Sequence, residues 1–312
     1  RLSAFLIALL LGAAPSFGQS VVKTETVRAE LISEAATVKP GEPFWVGLRE
    51  TIKPKWHTYW KNPGDAGQPT DIKWTLPAGV TADPIVWPAP TLYDVGGIIN
   101  YGYHDDVLLL VKITPPADFK DSRLTLAAAA EWLVCEDVCI PEEGKFALDL
   151  PVGATARPAD AATRALFDNA RRSVPMASPW QARFSLDKAG NPTLFVDARG
   201  LKPDTIGNVY YFPNEWGPVA HMARQDASVT ANGIRIPLKK GDAKAAAPQL
   251  LQGMLVLTEK TADGSHRQAF DITAKYDPAA ASAGAIAAPE DSLSIVEALL
   301  YALLGGLILN LM

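Results

Sequence analysis

From Val27 onward, apolar residues gather in short strand-like runs separated by polar turn sequences. Runs at 27–32, 44–49, 71–75, 85–87, 107–113, 124–130 and 145–150 have the length and β-branched content of half-buried strands. Between them stand Lys39-Pro40-Gly41-Glu42, Asn62-Pro63-Gly64-Asp65, Leu76-Pro77-Ala78-Gly79 and Thr114-Pro115-Pro116. In these, proline presets φ and glycine supplies positive φ, so each reads as a turn. Seven short strands at this spacing predict an immunoglobulin-like β-sandwich over 20–153. The Cys–Trp–Cys core pattern of antibody domains is missing.

The period changes at 156–174, where Leu166 and Phe167 among alanines predict a short helix ending before Pro175. This gives a helical connector at 154–178. A second set of runs, at 180–186, 193–197, 208–212, 233–237, 253–258 and 268–274, predicts a second β-sandwich over 179–276. A faint echo between 209–238 and 85–113 leaves two origins open, a degenerate copy of the first domain or an unrelated β domain. The fold class expected is therefore all-β, two sandwiches followed by the start of a transmembrane helix.

Both ends have a different character. An apolar run at 2–11 behind Arg1, with Ser16 and Gly18 placed for cleavage, predicts a signal peptide at 1–19. Starting on Arg1 rather than Met reads as a fragment. Residues 277–291, rich in Ala, Pro and Ser, read as a linker. Residues 293–312 hold one acid, Glu297, in a span long enough for a membrane helix, and Gly305-Gly306 permits close helix packing.

The formal net charge is −5, and no basic stripe interleaved with aromatics is present, which argues against a nucleic-acid partner. His57, His104, His221 and His266 are scattered and the four methionines make no cluster, so no metal site is expected. No GxSxG elbow suggests a hydrolase.

The chemistry concentrates in Trp132-Leu133-Val134-Cys135-Glu136-Asp137-Val138-Cys139-Ile140-Pro141, which contains the only two cysteines. A disulfide needs Cα atoms roughly 4.4–6.8 Å apart, whereas an extended strand separates positions i and i+4 by roughly 13 Å. If the two pair, the chain turns across Glu136-Asp137-Val138, and Pro141 is expected to end the local pairing. Closing so short a loop contributes only about 2 kcal/mol in the chain-entropy model. A chain this long buries a core without staples. Spacing alone leaves open a structural bridge or an exchanging pair, and exchange explains two close cysteines better, since the second thiol can resolve a mixed disulfide made by the first.

This block resembles the redox loop of the periplasmic N-terminal domain in the DsbD/ScsB family of membrane thiol:disulfide interchange proteins. Trp56-His57-Thr58-Tyr59-Trp60-Lys61-Asn62-Pro63-Gly64-Asp65-Ala66-Gly67 is similar to the same family, especially its ScsB-like branch. Tyr101-Gly102-Tyr103 falls where the family keeps a loop that caps the cysteines. The resemblance spans roughly residues 40–150. It implies an immunoglobulin-like redox domain in the periplasm of an inner-membrane protein-disulfide reductase. Electrons would come from a membrane domain through a thioredoxin-like domain, and leave to thioredoxin-fold isomerases or reductases. It implies no cofactor beyond a redox-active disulfide of Cys135 and Cys139, with Cys135 the sulfur that meets a partner. Tyr101 and Tyr103 are then cap candidates, although Ile98-Ile99-Asn100 replaces the family's acidic stretch. Tyr59 and His57 are expected beside the disulfide or at the docking surface. Asp137, with Glu136, is expected to place negative charge there and raise the thiol pKa values. The rival reading is a membrane-tethered binding module with a structural disulfide.

Overall fold

The computed structural model describes residues 19–241, 248–262 and 264–281. The expected signal sequence up to residue 18, the linker beyond 281 and the membrane helix at 292–312 lie outside the described residues. Among those described, no helix is long and apolar enough to cross a membrane.

The first domain runs through β1 (Val21–Lys23), β2 (Val27–Ser33), β3 (Ala35–Thr37), β4 (Phe44–Ile52), β5 (Thr58–Gly64), β6 (Asp71–Thr75), β7 (Thr81–Ala82), β8 (Thr91–Val95), β9 (Ile98–Tyr103), β10 (Asp106–Thr114), β11 (Arg123–Cys135) and β12 (Cys139–Pro151). One sheet has the order β1-β2-β4-β10-β7 and another β12-β11-β6. Alternation sets what each contributes. β2 buries Val27, Ala29 and Leu31, and β11 buries Leu124, Leu126, Ala128, Ala130, Trp132 and Val134. These faces meet over Leu48, Leu109 and Phe146 in the sandwich core. A third sheet, β5-β9-β8, crosses the end of the sandwich that carries the cysteines.

β13 (Arg157–Pro158) and helix α1 (Ala161–Ser173) connect the domains. Asp160 caps the helix, its side chain accepting from Thr163 N, and Phe167 and Ala170 pack on Leu108 and Leu110 of β10. The connector is thus docked on the outer face of the first sandwich. The second domain comprises β14 (Met176–Ala177), β15 (Ala182–Leu186), β16 (Pro192–Val196), β17 (Ile206–Pro213), β18 (Ser228–Thr230), β19 (Gly233–Pro237), β20 (Leu250–Thr261) and β21 (Gly264–Tyr276). Seven of them form one hydrogen-bonded path, β17-β20-β21-β15-β16-β19-β18, and β14 pairs in parallel with β21. Its strands share a single core around Phe184, Leu194, Tyr211, Ile236, Leu255 and Ile272, so the path curls over on itself.

Four local expectations fail for identifiable reasons. Residues 85–87 make only a single bridge, Val86 to Leu110. Asn62-Pro63-Gly64 is no turn but the irregular end of β5, where the register shifts between Tyr59 and Gly64. Pro141 does not end pairing. It sits opposite Leu133 inside β12, an outer strand of its sheet, where the missing N–H is tolerated. Tyr101-Gly102-Tyr103 lies not in a loop but in β9, because Gly96 (φ 64°) and Gly97 (φ 92°) make a tight hairpin turn.

Candidate functional site

Cys135 and Cys139 form a disulfide and face each other as the last pair of the β11–β12 hairpin, their Cα atoms 4.2 Å apart. The chain turns across Glu136, Asp137 and Val138, closed by Glu136 N donating to Val138 O. Asp137 is exposed at the apex beside Val138, which is 62% exposed.

The two sulfur-bearing residues differ sharply in environment. Cys139 is exposed, and Cys135 is 2% exposed. Cys135 breaks the alternation of β11, following buried Val134 directly. Its burial comes from the segment leading into β5. His57 N donates to Cys135 O at 2.9 Å, and Cys135 N donates to His57 O at 3.0 Å. Two residues on, the Tyr59 hydroxyl donates to Cys135 Sγ at 2.8 Å and lies 3.8 Å from Cys139 Sγ. Burial pushes the Tyr59 phenol up to about 12, so it remains a proton donor at neutral pH. Cys139, and not the Cys135 to which the resemblance pointed, is thus the exposed residue of the pair, while the pairing with His57 closes the side of Cys135.

His57 is buried, and its ring stacks on Tyr93 at 4.7 Å and meets the Tyr59 ring edge-on at 5.1 Å. Burial lowers its pKa, which favours the neutral imidazole. Tyr93 is the residue that sequence reasoning missed. Across β9 it stands opposite Asn100, as Tyr59 stands opposite Gly102, so Tyr93, Asn100, Gly102 and Tyr59 share one face of the small sheet. The signal was available in Asp94-Val95-Gly96-Gly97-Ile98, a glycine pair between two apolar runs.

The same parity corrects the cap assignment. Tyr101 and Tyr103 flank Gly102 and so point from the opposite face, away from the tyrosine that meets the sulfur. Tyr103 is buried and donates to Pro88 O at 2.8 Å. Tyr101 is fully buried against Phe212 and His221 of the second domain, its hydroxyl 3.2 Å from that of Tyr210.

Two further residues shape the site. Gly67 has φ +115°, and a Cβ there would lie 2.2 Å from the Tyr59 ring. Only glycine lets this loop close on that ring. On the core side of β5, fully buried Glu50 accepts from Thr58 Oγ1 and Thr70 Oγ1, both at 2.8 Å. Burial outweighs these hydrogen bonds and raises its carboxyl to about 7. Among the described residues, no group of three or more His, Cys, Asp and Glu side chains could hold a metal ion.

A family model described as the thiol:disulfide interchange protein DsbD, N-terminal, matches residues 28–151. The N-terminal periplasmic domain of ScsB from Proteus mirabilis matches with a TM-score of 0.58 and 18% identity, over 82% of this chain and 98% of that one. Residues 28–151 thus form a DsbD-type N-terminal domain, and the ScsB domain shares the fold. With its disulfide at the tip of the longest hairpin, this DsbD-type domain is a thiol–disulfide exchange domain by kind. A protein of unknown function from Porphyromonas gingivalis W83 reaches a TM-score of only 0.21 at 8% identity, over 79% of this chain and 99% of that one. No curated protein matches the chain by sequence.

Proposed function

We propose that the DsbD-type domain shuttles electron pairs between a membrane-borne donor and thioredoxin-fold acceptors in the periplasm, with Cys139 as the sulfur that meets each partner. The observation that carries this reading is the asymmetry of the disulfide: one sulfur-bearing residue exposed, the other buried under a phenolic donor.

In reduction, a donor thiolate attacks Cys139 Sγ, the Cys135–Cys139 bond breaks, and Cys135 leaves as a thiolate. The Tyr59 hydroxyl already points at that sulfur, so developing charge meets a hydrogen bond at once. The donor's second thiol then attacks its own sulfur in the mixed disulfide and releases Cys139. Two electrons have moved, and the two thiolates take up two protons at their own pKa values. In the second half of the cycle the Cys139 thiolate attacks an acceptor disulfide. Cys135 then attacks Cys139 Sγ, expels the acceptor thiol and restores the bridge. The buried cysteine acts only within its own pair, which protects it from random oxidants.

A bracing role fits less well. The register from Arg123–Pro151 to Cys135–Cys139 is held by the strands themselves, so the bridge closes a tip that is already paired. The test is equilibration of the purified chain with glutathione couples, followed by mixing the reduced form with thioredoxin-fold acceptors. A reversible two-electron potential with transfer abolished by Cys139→Ser is expected. A pair that stays oxidised until the protein is denatured would leave a braced binding module instead.

A further inference from the structure

The second domain carries no cysteine, yet it touches the site's own scaffold at β5, at β9 and just ahead of β8. Along β5, Tyr59 faces the sulfur while Trp60 packs edge-on against Phe212 at 6.2 Å, and Asn62 Nδ2 donates to Pro213 O at 2.8 Å. Just beyond β5, Asp65 Oδ1 stands 3.5 Å from buried His221 Nδ1, while its other oxygen accepts from Ile99 N of β9. Two residues further, Gly67 lies under the Tyr59 ring. From β9, Tyr101 enters the second domain among Tyr210, Phe212 and His221. Ahead of β8, the Arg267 guanidinium donates to the carbonyls of Ala89 and Pro90. Met254, Val256 and Ala269 of the second domain are continuous with the first domain's core.

The small sheet β5-β9-β8 is therefore clamped. One face delivers Tyr59, His57 and Tyr93 to the cysteine hairpin, and the other rests on the second domain. A phenol must be held to within a few tenths of an ångström to keep a hydrogen bond to a sulfur, and packed second contacts provide that restraint. The polar contacts of Asn62, Asp65 and Arg267 are directional, so they fix the register of the sheet as well as its distance.

We propose that the second domain is the positioning half of the redox site, its residues Pro213, His221 and Arg267 holding the sheet that places Tyr59 on Cys135. This rests on the exchange reading above for its consequence, though the placement of Tyr59 can be read independently.

The test uses the whole chain with Asn62→Ala, His221→Gln and Arg267→Gln, Tyr59→Phe as the reference, and Trp216→Ala as a control on an exposed second-domain residue. Two quantities are read on folded protein, judged by an unchanged far-ultraviolet spectrum. They are the equilibrium constant against glutathione and the rate of iodoacetamide modification of reduced Cys135. Asn62→Ala and His221→Gln are expected to shift both in the direction of Tyr59→Phe, by about two- to fivefold, with Trp216→Ala unchanged. Arg267→Gln, acting through the more distant β8, is expected to shift them less. If Tyr59→Phe moves both quantities while the seam variants lower only the thermal midpoint, the second domain is merely structural and the proposal fails. If the wild-type pair does not equilibrate with glutathione at all, the exchange reading fails. The positioning proposal is then decided by a label on Tyr59: its ring resonance in the oxidised protein moves in the seam variants if the proposal holds and stays put if it does not.

Discussion

The hairpin of β11 and β12 and the hairpin of β20 and β21 are built alike. Each pairs strands of twelve or thirteen residues, and each lays an alternating apolar face into a core. Their tips differ completely. The first ends in a disulfide whose inner residue is met by His57 on its open edge and by Tyr59 at the sulfur. The second ends at Thr261 and Gly264, exposed, with the Thr261 hydroxyl donating to Gly264 O at 3.0 Å. A long hairpin is thus a neutral platform here. Chemistry arises where another strand crosses its tip and divides two neighbouring residues into an inner and an outer one. The second hairpin contributes differently, through Met254, Val256 and Ala269 along its body.

That contrast can be broken most severely at Gly67. In Gly67→Ala a methyl group would enter the space of the Tyr59 ring at a positive φ. Overpacking and backbone strain together should cost about 4 kcal/mol, seen as a lower denaturant midpoint, and Tyr59 should leave the sulfur. A variant as stable as wild type would mean that this loop does not hold the ring.

Glu50 gives the next largest effect. Its folded carboxyl is raised by burial from 4.5 to about 7, so the protonated acid favours folding. That contribution is complete below pH 4.5 and is lost as pH rises through 7, a change of roughly 3 kcal/mol. Urea midpoints between pH 5 and 8 should fall in the wild type and stay nearly level in Glu50→Gln. Parallel profiles for the two proteins would contradict the assignment.

Removing the phenol alone is gentler. Tyr59→Phe keeps the ring and deletes the bond to Cys135 Sγ. Because that bond favours the reduced, more negative sulfur, the potential should become more negative by on the order of 20 mV, equivalent to about 1 kcal/mol. An unchanged potential would show the hydroxyl to be a bystander. At the far end of the scale, Thr261→Ala at the other tip should leave the potential untouched.

Much of this molecule is legible in its residues. Asp71–Thr75 and Gly233–Pro237 begin and end where turn chemistry and apolar pattern place them. The turn over Glu136, Asp137 and Val138 follows from two cysteines four positions apart. Local pattern could not say which face of β9 looks at the sulfur. That is decided by register against β5, and a shift of one residue exchanges Tyr101 and Tyr103 for Gly102. The inner and outer cysteine are equally invisible locally, since His57 reaches Cys135 from 78 positions away in the chain. Gly67 and Glu50 acquire meaning only through their folded neighbours, Tyr59 for the first and Thr58 and Thr70 for the second.

The most direct test of the account is to trap the mixed disulfide. Reduced Cys135→Ser and reduced Cys139→Ser are each mixed with an oxidised thioredoxin-fold acceptor, and the adducts are mapped by mass spectrometry. The account predicts a stable adduct through Cys139 in Cys135→Ser and almost none in Cys139→Ser. Equal trapping through Cys135 would contradict the division into an outer, exchanging sulfur and an inner, resolving one.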